Sequence, residues 1–134
     1  MDYCDICFDR PQPLEVLCLV HYVDVHADRK TWFSGDRALY VVNVHNRSSV
    51  PLERVTLNGG GSAFLDGTVR VNGCAEACAD PGTGIVIPGL DAGGRVLVTW
   101  EETIEPGAPL SEHPVDLRYE YRCGGERRQG SATV

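Results

Sequence analysis

The stretch Val115-Asp116-Leu117-Arg118-Tyr119-Glu120-Tyr121 alternates apolar and charged side chains without a break. Because successive side chains of a β-strand point to opposite faces, this period of two predicts a strand with one face in a core. The pattern returns over residues 37–46 and 95–104, where valine and aromatic residues occupy alternate positions. No stretch shows a convincing helical period, so the sequence predicts an all-β fold.

Turn residues separate these alternating stretches about every ten residues, with 15 glycines and 8 prolines spread in short clusters. Asn72-Gly73 is the strongest two-residue turn signal, and residues 64–71 before it predict a hairpin or bent strand. Many short strands joined by tight turns are typical of a β-sandwich of immunoglobulin-like or jelly-roll type. We expect seven to nine strands. Further strands are predicted over residues 14–25, 52–57, 85–87 and 127–134, with a loop over residues 74–84.

The chain of 134 residues has room for one domain. Residues 1–13 lack periodicity and carry Pro11 and Pro13, which favour extended backbone, so we expect an N-terminal connector arm there. Alternation begins at Leu14. The predicted organisation is therefore an arm over residues 1–13 and a β-sandwich over residues 14–134.

The composition argues against several classes of function. A net charge of −7 disfavours nucleic-acid binding, which depends on basic surface. No run approaches the roughly 20 apolar residues of a membrane-spanning helix, so membrane insertion is not expected. The acidic start of the chain lacks the basic leader and apolar run of a secretion signal.

The chain has six cysteines, which is a high number for a small domain. Short-spaced pairs can bind zinc, and Cys4-x-x-Cys7 together with Cys74-x-x-x-Cys78 could supply four thiolates. Disulfides are the preferred interpretation, with zinc or free thiols as alternatives. We therefore predict no metal site and no cofactor.

Histidines and carboxylates do not form a recognisable catalytic motif. His21, His26, His45 and His113 are scattered, and no Gly-x-Ser-x-Gly nucleophile elbow is present. We expect acidic residues in turns and on strands to be solvated at the surface. The sequence therefore predicts a protein that is not an enzyme. The carboxylates in this expectation are Asp80, Asp91, Glu101 and Glu102.

Four aromatic residues on well-patterned strands are expected in the core or on a sheet face, and not on a ligand platform. Asn46-Arg47-Ser48 also forms a formal acceptor for N-glycosylation. The aromatic residues are Tyr40, Trp100, Tyr119 and Tyr121.

Two neighbouring predicted strands have a distinctive sequence: residues 40–46 are Tyr-Val-Val-Asn-Val-His-Asn, and residues 50–57 are Val-Pro-Leu-Glu-Arg-Val-Thr-Leu. Together they resemble the opening of a bacterial surface repeat, the domain of unknown function 11. The similarity continues through residues 67–73 and the turn within residues 84–96. It covers residues 37–104 well. The resemblance implies an immunoglobulin-like structural module of the cell surface without catalytic residues. Members of that family are usually cysteine-poor and occur as tandem repeats behind a signal peptide, whereas this sequence is cysteine-rich and is expected to be a single unit without a signal peptide.

The layout of the cysteines is similar to that of endospore appendage subunits, which are small β-sandwiches with a cysteine-bearing N-terminal arm. This likeness implies that the arm of one subunit forms disulfides with the body of another. On that basis Cys4 and Cys7 are expected to pair with Cys18 and Cys123 across subunits. Cys74 and Cys78 lie four residues apart in a turn-rich loop, and a local disulfide between them needs no second subunit.

These features together predict a structural subunit that self-assembles into a disulfide-stapled fibre on the extracellular or spore surface. Its partners would be identical copies of the chain. The alternative is a surface adhesion or ligand-binding β-sandwich, and a third hypothesis is a zinc-stabilised intracellular module.

Overall fold

The computed structural model describes residues 23–59, 63–107 and 113–134. Within them the chain forms nine β-strands and no helix, so the all-β prediction is confirmed. The strands are β1 (Val25–Ser34), β2 (Arg37–Asn46), β3 (Leu52–Asn58), β4 (Arg70–Val71), β5 (Cys74–Ala75), β6 (Ile85–Ile87), β7 (Arg95–Thr103), β8 (Asp116–Cys123) and β9 (Glu126–Thr133).

The strands form two antiparallel sheets. Sheet A has five strands in the order β1-β2-β7-β4-β5, and sheet B has four in the order β6-β3-β8-β9. Long ladders hold the centre of each sheet, since β2 pairs with β7 over nine residues and β8 pairs with β9 over eight. The two sheets pack as a sandwich, as the sequence predicts.

The core lies between the sheets and follows the alternation of the strands. On β2 the even-numbered residues from Ala38 to Val44 are buried, while the odd-numbered ones face outward. Trp100 of β7 and Tyr40 of β2 are register partners, and both are almost fully buried. Val55, Leu57 and Leu117 close the core from sheet B. Burial of such large apolar side chains is the main force that holds the sheets together.

Turn chemistry explains how neighbouring strands are connected. Asn72 and Gly73 link β4 to β5 with φ of 51° and 83°. Positive φ at both central residues is what a two-residue hairpin of the I′ type requires, so the Asn-Gly prediction is confirmed. Gly124 and Gly125, with φ of 65° and 88°, connect β8 to β9 in a similar way.

Three strands differ from the sequence prediction. Of the hairpin or bent strand predicted over residues 64–71, only Arg70–Val71 form a strand, β4, while Phe64 makes an isolated bridge to Glu102. β1 was not predicted over residues 25–34, because its inward side includes Arg29 and Thr31 and therefore lacks an apolar alternation. Residues 74–75, predicted as loop, form the short edge strand β5. The predicted arm over residues 1–13, and nearly all of the strand predicted over residues 14–25, lie outside the described residues.

Candidate functional site

Cys123 ends β8, and its side chain is buried, with 8% of the residue exposed. It faces the core because it shares the inward side of β8 with Leu117 and Tyr119. The cysteine is disulfide-bonded. Cys4, Cys7 and Cys18 lie outside the described residues, so the predicted pairing of these cysteines with Cys123 stays a prediction.

Cys74 and Cys78 lie at the open side of sheet A. Cys74 is on β5, the edge strand, and Cys78 is in the loop that follows. Both residues are exposed and both thiols are free. The local disulfide between them is therefore not formed in this structure, and it stays a prediction for the oxidised protein.

Two histidines face each other on the outer side of sheet A, where His26 of β1 and His45 of β2 are register partners. Desolvation, assisted by the positive charges of Arg95 and Arg47, lowers the pKa of His45 below its usual value of 6.5. In the described residues no group of three His, Cys, Asp or Glu side chains could hold a metal ion. His21 lies outside the described residues.

Glu102 is buried, which the sequence analysis did not predict. Its side chain is 7% exposed and accepts a hydrogen bond of 3.1 Å from the indole Nε1 of Trp100. The imidazole Nε2 of His113 lies 2.8 Å from the same carboxylate. The alternation along β7 could have predicted this burial, because positions 96, 98, 100 and 102 lie on the same face of a strand. The expectation that Glu102 is a solvated surface residue is therefore wrong.

Aromatic and cationic groups surround this buried carboxylate. The Tyr40 ring stacks on Trp100 and on His113, with ring centroids 5.4 Å and 4.8 Å apart. The guanidinium of Arg29 lies 5.9 Å from the centre of the Tyr40 ring and donates to the backbone carbonyl of His113. The cluster thus connects β1, β2, β7 and the segment that precedes β8. Its hydrogen bonds join these elements at one end of the sandwich, which is a structural role.

Asn46 ends β2 and is completely buried. Its side-chain nitrogen donates to the carbonyls of Val50, Leu90 and Asp91 at 3.0 to 3.1 Å. Its side-chain oxygen accepts from the backbone nitrogen of Ser48 at 3.0 Å. The glycosylation motif that begins at Asn46 is therefore inaccessible in the folded protein, because the acceptor nitrogen is buried.

Exposed aromatic side chains lie at the tip of the β1–β2 hairpin. Trp32 is 60% exposed, and its register partner Leu39 is 37% exposed on the outer face of sheet A. Phe33 is next to Trp32 and is 36% exposed. The four aromatic residues singled out in the sequence do not form this surface. Tyr40 and Trp100 are in the core, and Tyr119 and Tyr121 are partly buried beside it, as expected.

No protein-family model and no curated protein sequence matches the chain. Among solved structures, BslA, described as a bacterial hydrophobin, is similar with a TM-score of 0.52 and 12% identity, over 84% of this chain and 92% of BslA. The GAE domain of GGA2p from Saccharomyces cerevisiae gives a TM-score of 0.43 and 10% identity, over 86% of this chain and 96% of that domain. The BslA similarity concerns the fold alone. In the described residues no helix is long and apolar enough to cross a membrane.

Proposed function

We propose that the chain is a structural subunit that self-assembles into a disulfide-linked fibre on an extracellular or spore surface. The placement of the cysteines carries this proposal. Of the described cysteines, Cys74 and Cys78 lie four residues apart at the open edge of sheet A with exposed thiols, and Cys123 lies at the end of β8 in sheet B. Because Cys74 and Cys78 can bond to each other within their own loop, the other four cysteines supply the bonds between subunits, and Cys123 must exchange the disulfide it has in the single chain for one to a neighbouring copy.

The proposed linkage follows the cysteine layout described above. Cys4 and Cys7 bond to Cys18 and Cys123 of other subunits, and Cys74 bonds to Cys78 within its own loop. Two covalent bonds to neighbouring copies would hold the polymer together under conditions that unfold a single domain. Peptide mapping of non-reduced fibres identifies the pairs. A peptide that joins Cys4 or Cys7 to the loop of residues 74–78, or one that joins Cys18 to Cys123, contradicts this assignment.

Electron microscopy of the purified full chain without reductant tests assembly, and denaturing gels without reductant test the covalent linkage. Ordered filaments and a ladder of multiples are expected. The variant Cys4→Ser/Cys7→Ser should lose the ladder because it lacks the proposed arm bonds. The matched variant Cys74→Ser/Cys78→Ser also loses two thiols and should retain it. A single monomer band for the wild-type chain with and without reductant contradicts the fibre proposal.

The second candidate function is a surface adhesion or ligand-binding module, and the exposed hairpin tip favours it. Trp32 and Phe33 place aromatic surface in solvent, where the hydrophobic effect favours covering it. The fold similarity to a protein described as a bacterial hydrophobin is compatible with a role at a surface. Under this proposal Trp32→Ala weakens adsorption of the protein to an apolar surface, whereas Val86→Ala, at another exposed apolar residue, leaves adsorption unchanged.

A further inference from the structure

The outer face of sheet B carries two arginines that lie diagonally across a strand pair. Thr56 of β3 is the register partner of Arg118, and Arg54 of β3 is the register partner of Glu120. Side chains at such diagonal positions are about 7 to 8 Å apart at their bases and can reach one another. Both arginines are exposed. They line a shallow cleft of about 130 Å³ together with Thr56, Tyr119, Glu120 and Gln129.

These two guanidinium groups differ from their neighbours in sheet B because they have no ion pair within the described part of the chain. Arg122, by contrast, donates to the Glu53 carboxylate at 2.8 Å, and Arg127 lies 3.7 Å from the same carboxylate. Two like charges at close range favour a bound anion, which removes their repulsion and accepts their hydrogen bonds.

One carboxylate already lines the cleft. Glu120 is partly buried, and its ion pair is with Arg127 at 4.0 Å. A single carboxylate shared in this way does not balance two further guanidinium groups, so the cleft keeps a positive charge. Thr56 and Gln129 add neutral hydrogen-bonding groups beside it. The chemistry of the cleft therefore fits a ligand that carries carboxylates.

The same chain presents such a ligand on another surface. The loop of residues 76–84, which follows β5, contains Glu76 and Asp80 and no basic residue. Its backbone is ordered by hydrogen bonds from Ala79 to the carbonyl of Glu76 and from Gly84 to the carbonyl of Asp80. The exposed Glu76 has no ion pair in the described residues. An ordered loop loses little conformational entropy on binding.

We propose that the cleft between Arg54 and Arg118 receives the acidic loop of residues 76–84 of a second copy of this chain. The inference rests on the proposed self-assembly and names a contact for it. Arginine binds carboxylate in a planar, two-pronged geometry, which would set the orientation of the neighbour. A contact between two different surfaces of the same chain is heterologous, so it repeats from copy to copy and builds an open-ended polymer when the rotation between copies does not close a ring.

Sedimentation velocity of the full chain with reductant, which removes disulfides between subunits, at about 0.02 M and about 0.5 M salt tests this contact, because salt screens charge pairs. The wild-type chain should associate at low salt and dissociate at high salt. Arg54→Gln/Arg118→Gln should weaken this salt-dependent association at least about tenfold. Lys30→Gln/Arg95→Gln removes the same charge from the outer face of sheet A, at exposed residues that also lack an ion pair in the described residues, and should leave it unchanged.

The heterologous geometry makes a stronger prediction. Glu76→Gln/Asp80→Asn should also lose association. This variant keeps the cleft and lacks the acidic loop, whereas Arg54→Gln/Arg118→Gln keeps the loop and lacks the cleft. When this variant is mixed with Arg54→Gln/Arg118→Gln, the intact cleft of one can bind the intact loop of the other. The mixture should form dimers and nothing larger. Circular dichroism confirms that each variant keeps the β signal.

Three results would overturn the contact: no salt-dependent association of the wild-type chain, an equal loss in Lys30→Gln/Arg95→Gln, or no dimer in the mixture. Non-reducing gels on samples of the same variants prepared without reductant separate this inference from the fibre proposal. A covalent ladder without salt-dependent association overturns the contact and leaves the disulfide fibre standing. Salt-dependent association that follows the variants, without a ladder, supports the contact and contradicts the disulfide fibre.

Discussion

The phenol ring of Tyr119 lies against Gly130, its register partner on β9, and fills the space that a side chain at position 130 would need. Three atoms at the end of the ring would overlap a Cβ placed there. Tyr119 also stacks with Tyr121, with ring centroids 6.2 Å apart. The missing side chain at position 130 therefore determines how the β8–β9 hairpin packs against the core.

Gly130→Ala should destabilise the protein by about 1 to 3 kcal/mol, because the added methyl group forces the Tyr119 ring out of its position. Urea unfolding followed by circular dichroism measures the change. Gly89→Ala is the matched control, since a Cβ there would meet its nearest neighbour at an ordinary 3.6 Å. In a Tyr119→Ala background the Gly130→Ala change should cost much less, and an equal cost in both backgrounds would contradict the steric explanation.

Alkaline pH should destabilise the fold through Tyr119. Burial, followed by the negative charges of Tyr121 and Asp24, raises the pKa of Tyr119 above its usual value of 10.0. The folded state therefore retains the proton after the unfolded state has lost it. The contribution is complete below pH 10.0 and is lost as the pH rises through the folded-state pKa. Unfolding free energies should fall less steeply with rising pH in Tyr119→Phe than in the wild type. Equal slopes would refute this.

Acidic pH should destabilise the fold through His45. Desolvation, Arg95, Arg47 and His26 all lower the pKa of His45 below 6.5, so the unfolded state takes up a proton first. The contribution of neutral His45 is present above pH 6.5 and is lost as the pH falls through the folded-state pKa. His45→Gln should therefore lose less stability than the wild type on acidification. A proton NMR titration that places the His45 transition above that of an unfolded peptide would contradict the assignment.

The buried carboxylate of Glu102 should contribute far more to stability than that of its neighbour Glu101. Glu102→Ala leaves the Trp100 N–H without an acceptor and should cost about 2 to 4 kcal/mol. Glu101 is 38% exposed and pairs with Arg37 at 2.9 Å, so Glu101→Ala should cost no more than about 1 kcal/mol. Thermal unfolding of the two variants gives the comparison. Similar losses in both would show that the buried network is not needed for stability.

Strands buried on one regular face are the part of the fold that sequence reasoning predicts well. β2 begins and ends where the alternation of residues 37–46 begins and ends, and β7 and β8 follow their patterns closely. β1 escaped prediction because an edge strand need not bury its inward residues. Arg29 occupies one of these positions, and its guanidinium lies over the Tyr40 ring. A strand that is held mainly by hydrogen bonds to one neighbouring strand does not need an alternating apolar pattern, so its sequence does not predict it.

The buried cluster shows the other limit of sequence reasoning. Alternation places Glu102 on the inward face of β7, but it does not show which residue satisfies a carboxylate there. His113 lies 11 residues later, before β8, and only the folded arrangement brings its imidazole to Glu102. A polar residue on an apolar face is thus a signal that a partner exists, and the identity of the partner depends on long-range topology.

Because Asn46 is buried in the folded protein, glycosylation at this residue would depend on how fast the chain folds. In a host that attaches sugars to secreted chains, the enzyme can reach this asparagine only before β2 and the loop around Leu90 have come together. A glycan added early would then occupy the position of the amide hydrogen bonds to Val50, Leu90 and Asp91 and keep the sandwich from closing. Glycan occupancy in such a host would therefore report how slowly the chain folds, and the glycosylated fraction would be the unfolded fraction.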